Sequence, residues 1–150
     1  VSGYSPRMRL DISLNALCYQ ALKYKKIKVF GGKQIRPNIH IEDMINVYIF
    51  FIKKNKFKYS IYNAGFENIS ILKMAKLIKK QIKCSINIMS SNNDPRSYRQ
   101  DSSRLINEGF KTKFSIKDSI NDILNKYKNK KLNDDLSCYT TSWMKKNRIK

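Results

Sequence analysis

A mixed α/β fold of short helices and short strands is what this sequence predicts, on three observations. Apolar residues recur at helical spacing in several separate stretches. Short β-branched or alternating pieces lie between them, set off by glycines and polar turns. No stretch repeats another, and 150 residues with 41% hydrophobic content can bury one modest core but not two full domains.

Taken in order, the chain opens with Ser2-Gly3-Tyr4-Ser5-Pro6-Arg7, which reads as an interior loop, so a piece of a longer protein is expected. Asp11 is the expected cap of a helix on which Ile12, Ala16, Leu17, Cys18, Ala21 and Leu22 share helical spacing, ended by the lysine-rich run 23–26. Residues 27–30 form a short strand that meets the turn signal Gly31-Gly32, and residues 36–41 form the returning strand. Residues 42–54 read as a largely buried helix, because Met44, Ile45, Val47, Tyr48, Ile49, Phe51 and Ile52 cover most of its circumference.

A strand is expected at Tyr59-Ser60-Ile61-Tyr62, running into the Asn63-Ala64-Gly65 turn. Ser70 then caps an amphipathic helix with Ile71, Leu72, Ala75, Leu77, Ile78 and Ile82 on one face and Lys73, Lys76, Lys79 and Lys80 largely on the other. Residues 85–89 alternate as a short strand, and the polar run 90–99 with Pro95 is a loop. A short helix starts near Asp101 and stops at Gly109. Ser115-x-x-Asp118 resembles a capping box opening the last helix, with Ile120, Ile123 and Leu124 on its apolar side. From residue 128 the chain is rich in Lys and Asn without periodicity, so 128–150 is expected to be a flexible basic tail whose lone Trp143 docks at no assigned place.

Composition narrows the function classes. A net charge of +20 and pI near 10 suit a polyanion partner. The excess is mostly Lys in a chain also rich in Ile, Asn and Tyr, residues with A- and T-rich codons. The lysines are spread along most segments, and no RNA-binding aromatic motif or recognition-helix signature accompanies them. Nucleic-acid binding is therefore discounted as the main role. Cys18, Cys84 and Cys138 are odd in number and lack CxxC or Cys/His spacing, which argues against a disulfide framework and against a metal site and for reduced, cytoplasmic thiols. The most apolar run, 47–52, is closed by Lys53 and Lys54, far short of a membrane span, and no signal-peptide pattern is present.

Several segments, in order, resemble the extended short-chain dehydrogenase/reductase family and its NAD-dependent sugar nucleotide epimerases and dehydratases. The opening loop is similar to the family's "NVYGPR" loop, with Tyr4, Pro6 and Arg7 matching outright. The run Gly31-Gly32-Lys33-Gln34-Ile35-Arg36-Pro37-Asn38-Ile39-His40-Ile41-Glu42-Asp43 resembles "GdGxqxRdfihVdD" closely and is the most specific signal. Tyr62-Asn63-Ala64-Gly65 matches "yNvG", and the segment from Asp94 to Arg104 resembles "gDxxxxxaDxsKa".

The resemblance implies the C-terminal, substrate-binding portion of such an enzyme, over residues 1–127, with the Rossmann half missing. That missing N-terminal half would bind NAD, and the intact protein would be a homodimer serving surface polysaccharide synthesis. Here Gly31-Gly32 lacks the third glycine of a dinucleotide fingerprint and is not followed by a helix. The implied ligand is a nucleotide diphosphate sugar. Arg36 stands at the family position whose side chain reaches the diphosphate, and each charge-assisted bond to phosphate is worth about 1.5–3 kcal/mol.

Arg7 and Arg9 flank the same cleft in the resemblance, and Asn15, on the exposed edge of the first helix, is either a substrate contact or a solvated helix residue. Epimerases often carry an Arg where this chain has Ser91; Arg96 and Arg99 are then the candidates for a second phosphate contact. His40 orders a turn, Asp43 caps or braces the next helix, and Asn63 and Asp101 are supporting residues. Tyr62 and Phe66 read as core. The family's catalytic YxxxK spacing occurs at Tyr19/Lys23, Tyr24/Lys28 and Tyr127/Lys131, but the family places its catalytic helix before the opening loop, so no catalytic residue is assigned. Two other readings stay open: a basic nucleic-acid-binding module, and a nucleotide-sugar binding protein without catalysis.

Overall fold

Residues 1–90 and 96–149 are described by a computed structural model. In chain order the elements are α1 (Ser13–Tyr24), β1 (Lys26–Phe30), β2 (Ile35–Asn38), α2 (Ile41–Lys53), β3 (Glu67–Ser70), α3 (Ile71–Gln81), β4 (Ser85–Met89), α4 (Ser103–Asn107), α5 (Ile116–Lys128), a 3-10 turn (Leu136–Cys138) and α6 (Thr140–Lys146). Ser91, Asp94 and Pro95, on which part of the polar-loop expectation rests, lie outside the described residues.

Strand pairing is non-local. β1 runs parallel to β4, with Ile27 beside Ile86 and Val29 beside Ile88, while β2 is antiparallel to β3, with Arg36 opposite Ile69. The Gly31-Gly32 turn therefore joins strands of two different two-stranded sheets. Both glycines have positive φ, 70° and 101°. A Cβ on Gly32 would stand 3.1 Å from both Leu72 and Val29, so this glycine lets the turn pack against α3.

Two apolar clusters hold the fold. The larger joins α1, β1, α3 and α5 through Leu17, Cys18, Ile27, Met74, Ile78, Ile120 and Ile123, and Cys138 closes it from the chain end. Burying each such aliphatic side chain contributes about 1.5–3 kcal/mol. The smaller gathers Ile39, Val47, Leu105 and Phe110 with Met44, Phe50, Phe51 and Phe66. Helix starts are set by local chemistry: Ser70 Oγ accepts from Lys73 N, and Ser115 and Asp118 form the reciprocal capping box.

The structure differs from the sequence reading at six places. The strand after Gly31-Gly32 is not 36–41 returning along β1: it is Ile35–Asn38 and pairs with β3, because β4 takes the ladder edge of β1. Asp11 does not cap α1; the N-cap residue is Ile12, with no side-chain cap bond, because Arg9 holds the Asp11 carboxylate. No strand forms at 59–62, which finds no ladder partner, and a strand instead forms at β3, opposite β2. α2 is not largely buried: Ile45, Tyr48, Ile49 and Ile52 are 41–80% exposed. Asn15 is on no exposed edge but 97% buried, its relative exposure being 3%.

The chain end is the sixth place, for residues 132–143 of the expected tail pack on the body, while 145–149 are exposed. Leu10 N donates to Cys138 O at 2.8 Å, and Asp134 accepts from Tyr19, Lys23 and Tyr139. Local periodicity gave no sign of it, because the contacts are made with residues more than a hundred positions away.

Candidate functional site

The first turn of α1, strand β2 and the segment 96–98 enclose a polar cavity of about 310 Å³, lined by Asp11, Ser13, Leu14, Arg36, Asn38 and Tyr98 among others. Arg36 and Asn38 reach it together because alternate residues of a strand share a face. The start of α1, which has no side-chain cap bond, lines the cavity through Ile12, Ser13 and Leu14, and a helix start carries partial positive charge.

Arg36 is 9% exposed and held in place. Its Nη1 donates to Ile35 O at 2.9 Å and to Arg96 O, and its guanidinium carbon stands 4.9 Å from the centre of the Tyr98 ring. The 96–98 segment is in turn tied to β2, since Ile35 N donates to Ser97 Oγ at 3.0 Å and Tyr98 N donates to Ile35 O at 3.3 Å. Asn38 Nδ2 donates to Arg36 O at 2.9 Å. The result is a permanently charged planar donor, preorganised beside a helix start, which is the arrangement that binds a phosphate.

Arg9 forms a forked pair with Asp11 at 2.8 and 3.1 Å. Burial opposes ionisation of Asp11, but Arg9 outweighs it and holds the carboxyl below its ordinary range. Arg7 lies 5.3 Å from the Trp143 ring centre and is not among the cavity-lining residues. Arg96 meets Arg36 through its backbone carbonyl, and its side chain, like that of Arg99, is exposed. Asn15 is buried in α1, its Oδ1 without a hydrogen-bond partner.

The supporting residues sit elsewhere. His40 Nδ1 accepts from Glu42 N at 3.1 Å, capping α2, and the ring stacks on Phe114 at 4.6 Å. Gly3 at φ 97° makes room for that ring, since a Cβ there would stand 3.1 Å from His40 Nε2. Asp43, fully buried, accepts from Lys113 N and Phe114 N at 3.0–3.1 Å, so it braces the approach to α5 and not its own helix. Asn63 Nδ2 donates to Asp101 O at 3.0 Å, and Asp101 caps α4 through Ser103, whose hydrogen bonds hold the carboxyl low. Ser13, Leu14, Asn38 and Tyr98 were not singled out from the sequence, and Asp11 only as a helix cap; the alternation of Asn38 with Arg36 was the available signal.

Tyr19 and Lys23 share a helix face as their spacing requires, yet both point to Asp134. Burial and the Asp134 carboxylate push the Tyr19 phenol up, the opposite of what a general base needs. The Gly31-Gly32 turn does not fit a dinucleotide: it leads into β2, and the space beside Gly32 is filled by Leu72 and Val29. Among the described residues no three His, Cys, Asp or Glu side chains converge as metal ligands, and no helix is long and apolar enough to cross a membrane.

No protein-family model matches the chain. Solved structures do match its fold. UDP-glucuronic acid 4-epimerase from Bacillus cereus, in complex with UDP-glucuronic acid and NAD, is 24% identical with TM-score 0.69, over 85% of this chain and 43% of that one. dTDP-glucose 4,6-dehydratase from Bacillus anthracis, in complex with NAD, is 16% identical with TM-score 0.69, over 93% and 44%. A GDP-mannoheptose C4 reductase from Campylobacter jejuni with NADP bound is 22% identical with TM-score 0.67, over 79% and 45%. The chain thus spans less than half the length of these structures, and it has the fold of the C-terminal portion of the extended short-chain dehydrogenases/reductases.

Proposed function

We propose that this chain is the nucleotide-sugar-binding part of an NAD-dependent epimerase, dehydratase or reductase, and that it turns nothing over without a cofactor-binding half. The observation that carries the reading is Arg36, buried, oriented by Arg96 O and Tyr98, and aimed at a cavity beside the first turn of α1. That cavity offers what a diphosphate needs: a fixed guanidinium and a helix start with no side-chain cap. Two of the matching structures hold UDP-glucuronic acid, a ligand of this class.

In this reading the chain's own work is to bind and orient. Arg36 neutralises the diphosphate, the start of α1 fixes it, and the exposed ring of Tyr98 shields one side from water. Hydride chemistry belongs to the nicotinamide cofactor, for which these residues form no seat. The intact protein would work as a homodimer, and its three free cysteines suit a reducing, cytoplasmic compartment.

Isothermal titration of the chain with UDP-glucose, dTDP-glucose and GDP-mannose at low salt tests the reading. At least one should bind, and Arg36→Gln should weaken it about tenfold or more, as loss of a charge-assisted bond of about 1.5–3 kcal/mol requires. Circular dichroism of the variant controls for folding. No heat from any of the three, or equal affinity in Arg36→Gln, would end the proposal.

A further inference from the structure

We propose that the open edge of β1 is a groove for single-stranded nucleic acid, a binding site distinct from the Arg36 cavity. Gln20, Tyr24, Lys26, Lys28 and Phe30 line a surface groove of about 470 Å³ between the last turns of α1 and β1. Strand alternation builds it: Ile27 and Val29 are fully buried, so Lys26, Lys28 and Phe30 all turn the other way. The two lysines are spaced by about 6.6 Å along the strand. Tyr24, 61% exposed, and Phe30 stand at the two ends of the groove. Ammonium groups along a track, with aromatic rings at its ends, are what a single strand needs for its phosphates and its unstacked bases.

Charge supports this occupant. Residues 12–41 carry six Lys or Arg, residues 68–90 carry five, and neither stretch contains a carboxylate. Lys25 and Lys83 line a second hollow of about 600 Å³ with Cys84 and Ser85, at the end of the β1–β4 pair where Lys26 lies beside Ser85, and Lys79 and Lys80 stand in the last turn of α3. Among the described residues none of Lys25, Lys26, Lys28, Lys79, Lys80 or Lys83 has an ion-pair partner. The C-termini of α1 and α3 together offer roughly one unit of negative charge, so six lysines leave about five positive charges uncompensated.

An acidic peptide added as a strand fits less well. Gln20 Oε1 already takes Lys28 N at 3.0 Å, and Gln34 Nε2 donates to Phe30 O at 2.8 Å, so side-chain amides occupy two ladder positions of this edge that an added strand would need. A duplex is broader than a groove bounded by one helix and one strand. The groove meets α1 at Gln20 and Tyr24, and the Arg36 cavity meets it at Ser13 and Leu14, roughly 10–16 Å away along the helix.

Fluorescence anisotropy of the full chain with fluorescein-labelled oligo(dT) and oligo(U) twelve-mers is the test. Four phosphate contacts, from Lys25, Lys26, Lys28 and Lys83, predict a slope of log K on log salt of about −3. Lys26→Gln with Lys28→Gln should flatten that slope by about 1.4. Tyr24→Ala should weaken binding about tenfold and leave the slope unchanged, because a stacked base carries no counterion. Arg36→Gln should change neither, which separates this site from the nucleotide-sugar reading. Equal binding of a twelve-base-pair duplex or of phosphatidylserine vesicles, no effect of Tyr24→Ala, or an equal loss from Lys73→Gln with Lys76→Gln would overturn the proposal in favour of diffuse charge.

Discussion

The two apolar clusters differ in how they are closed. Around Ile78, Ile120 and Ile123 every side is covered, by α1, α3, α5 and the returning chain end at Cys138. Around Val47, Leu105 and Phe110 only the inner side of α2 is covered. Its outer side presents Ile45, Tyr48, Ile49 and Ile52, which stand at i, i+3, i+4 and i+7. A helix apolar on both sides belongs between two layers, and here it has one. The first cluster is therefore closed within the chain, whereas the second leaves one apolar side of α2 uncovered. Under the proposed function, the outer side of α2 is where the cofactor-binding half would rest.

The largest expected effect follows from the closed cluster. Ile120 has no exposure and contacts from several elements surround it, so Ile120→Ala removes three carbons where nothing can collapse to fill the space. Urea unfolding should show a loss of about 2–5 kcal/mol. A loss below about 1 kcal/mol would mean that the cluster is not closed and would break the comparison.

That contrast also explains what could be read in the sequence. The helices α1, α3 and α5 were legible because apolar residues recur at helical spacing along one face of each, and the returning cover at Cys138 was not, because Lys- and Asn-rich residues 128–137 give no period. The strand expected at 59–62 has the right residues, yet a strand exists only with a partner, and none of the described residues supplies one. Glu67, Asn68 and Ser70 have low strand propensity, and β3 forms all the same because β2 lies beside it. At the candidate site Arg36 was legible from its motif. Arg7 and Arg9 were placed by the same resemblance, but Trp143, the partner of Arg7, is too remote to be read from local spacing, and Asp11, two residues on from Arg9, reads from sequence as a helix cap.

A middle-sized effect concerns acid. Glu108 pins the loop after α2 to the open cluster: its carboxylate accepts from Lys54 Nζ, from Tyr62 Oη at 2.7 Å and from Lys58 N at 2.8 Å. These donors, Lys54 foremost, hold its carboxyl down to about 2, against 4.5 ordinarily. A depressed folded value means the contribution is complete above pH 4.5 and is lost as pH falls from there towards 2. Near-ultraviolet circular dichroism of Tyr62 and its aromatic neighbours should fade in that window, and Glu108→Gln should fade less with pH because its amide does not titrate. An identical acid profile in the variant would show that another group governs the open cluster.

The smallest expected effect on stability is the sharpest on the comparison itself. Ile52 is 80% exposed, so Ile52→Lys removes little buried area and extends a side chain into water at a helix C-terminus, where a cation is favourable. Unfolding free energy should change by no more than about 0.5 kcal/mol. The same substitution puts a charge at the C-terminal end of the uncovered stripe, on its most exposed residue, so binding of an apolar dye and concentration-dependent self-association, read by sedimentation velocity, should both fall. A destabilisation near that of Ile120→Ala would mean α2 is covered on both sides within this chain. An unchanged stability with unchanged dye binding would place the adhesive surface elsewhere, and the division into one closed and one open cluster would no longer hold.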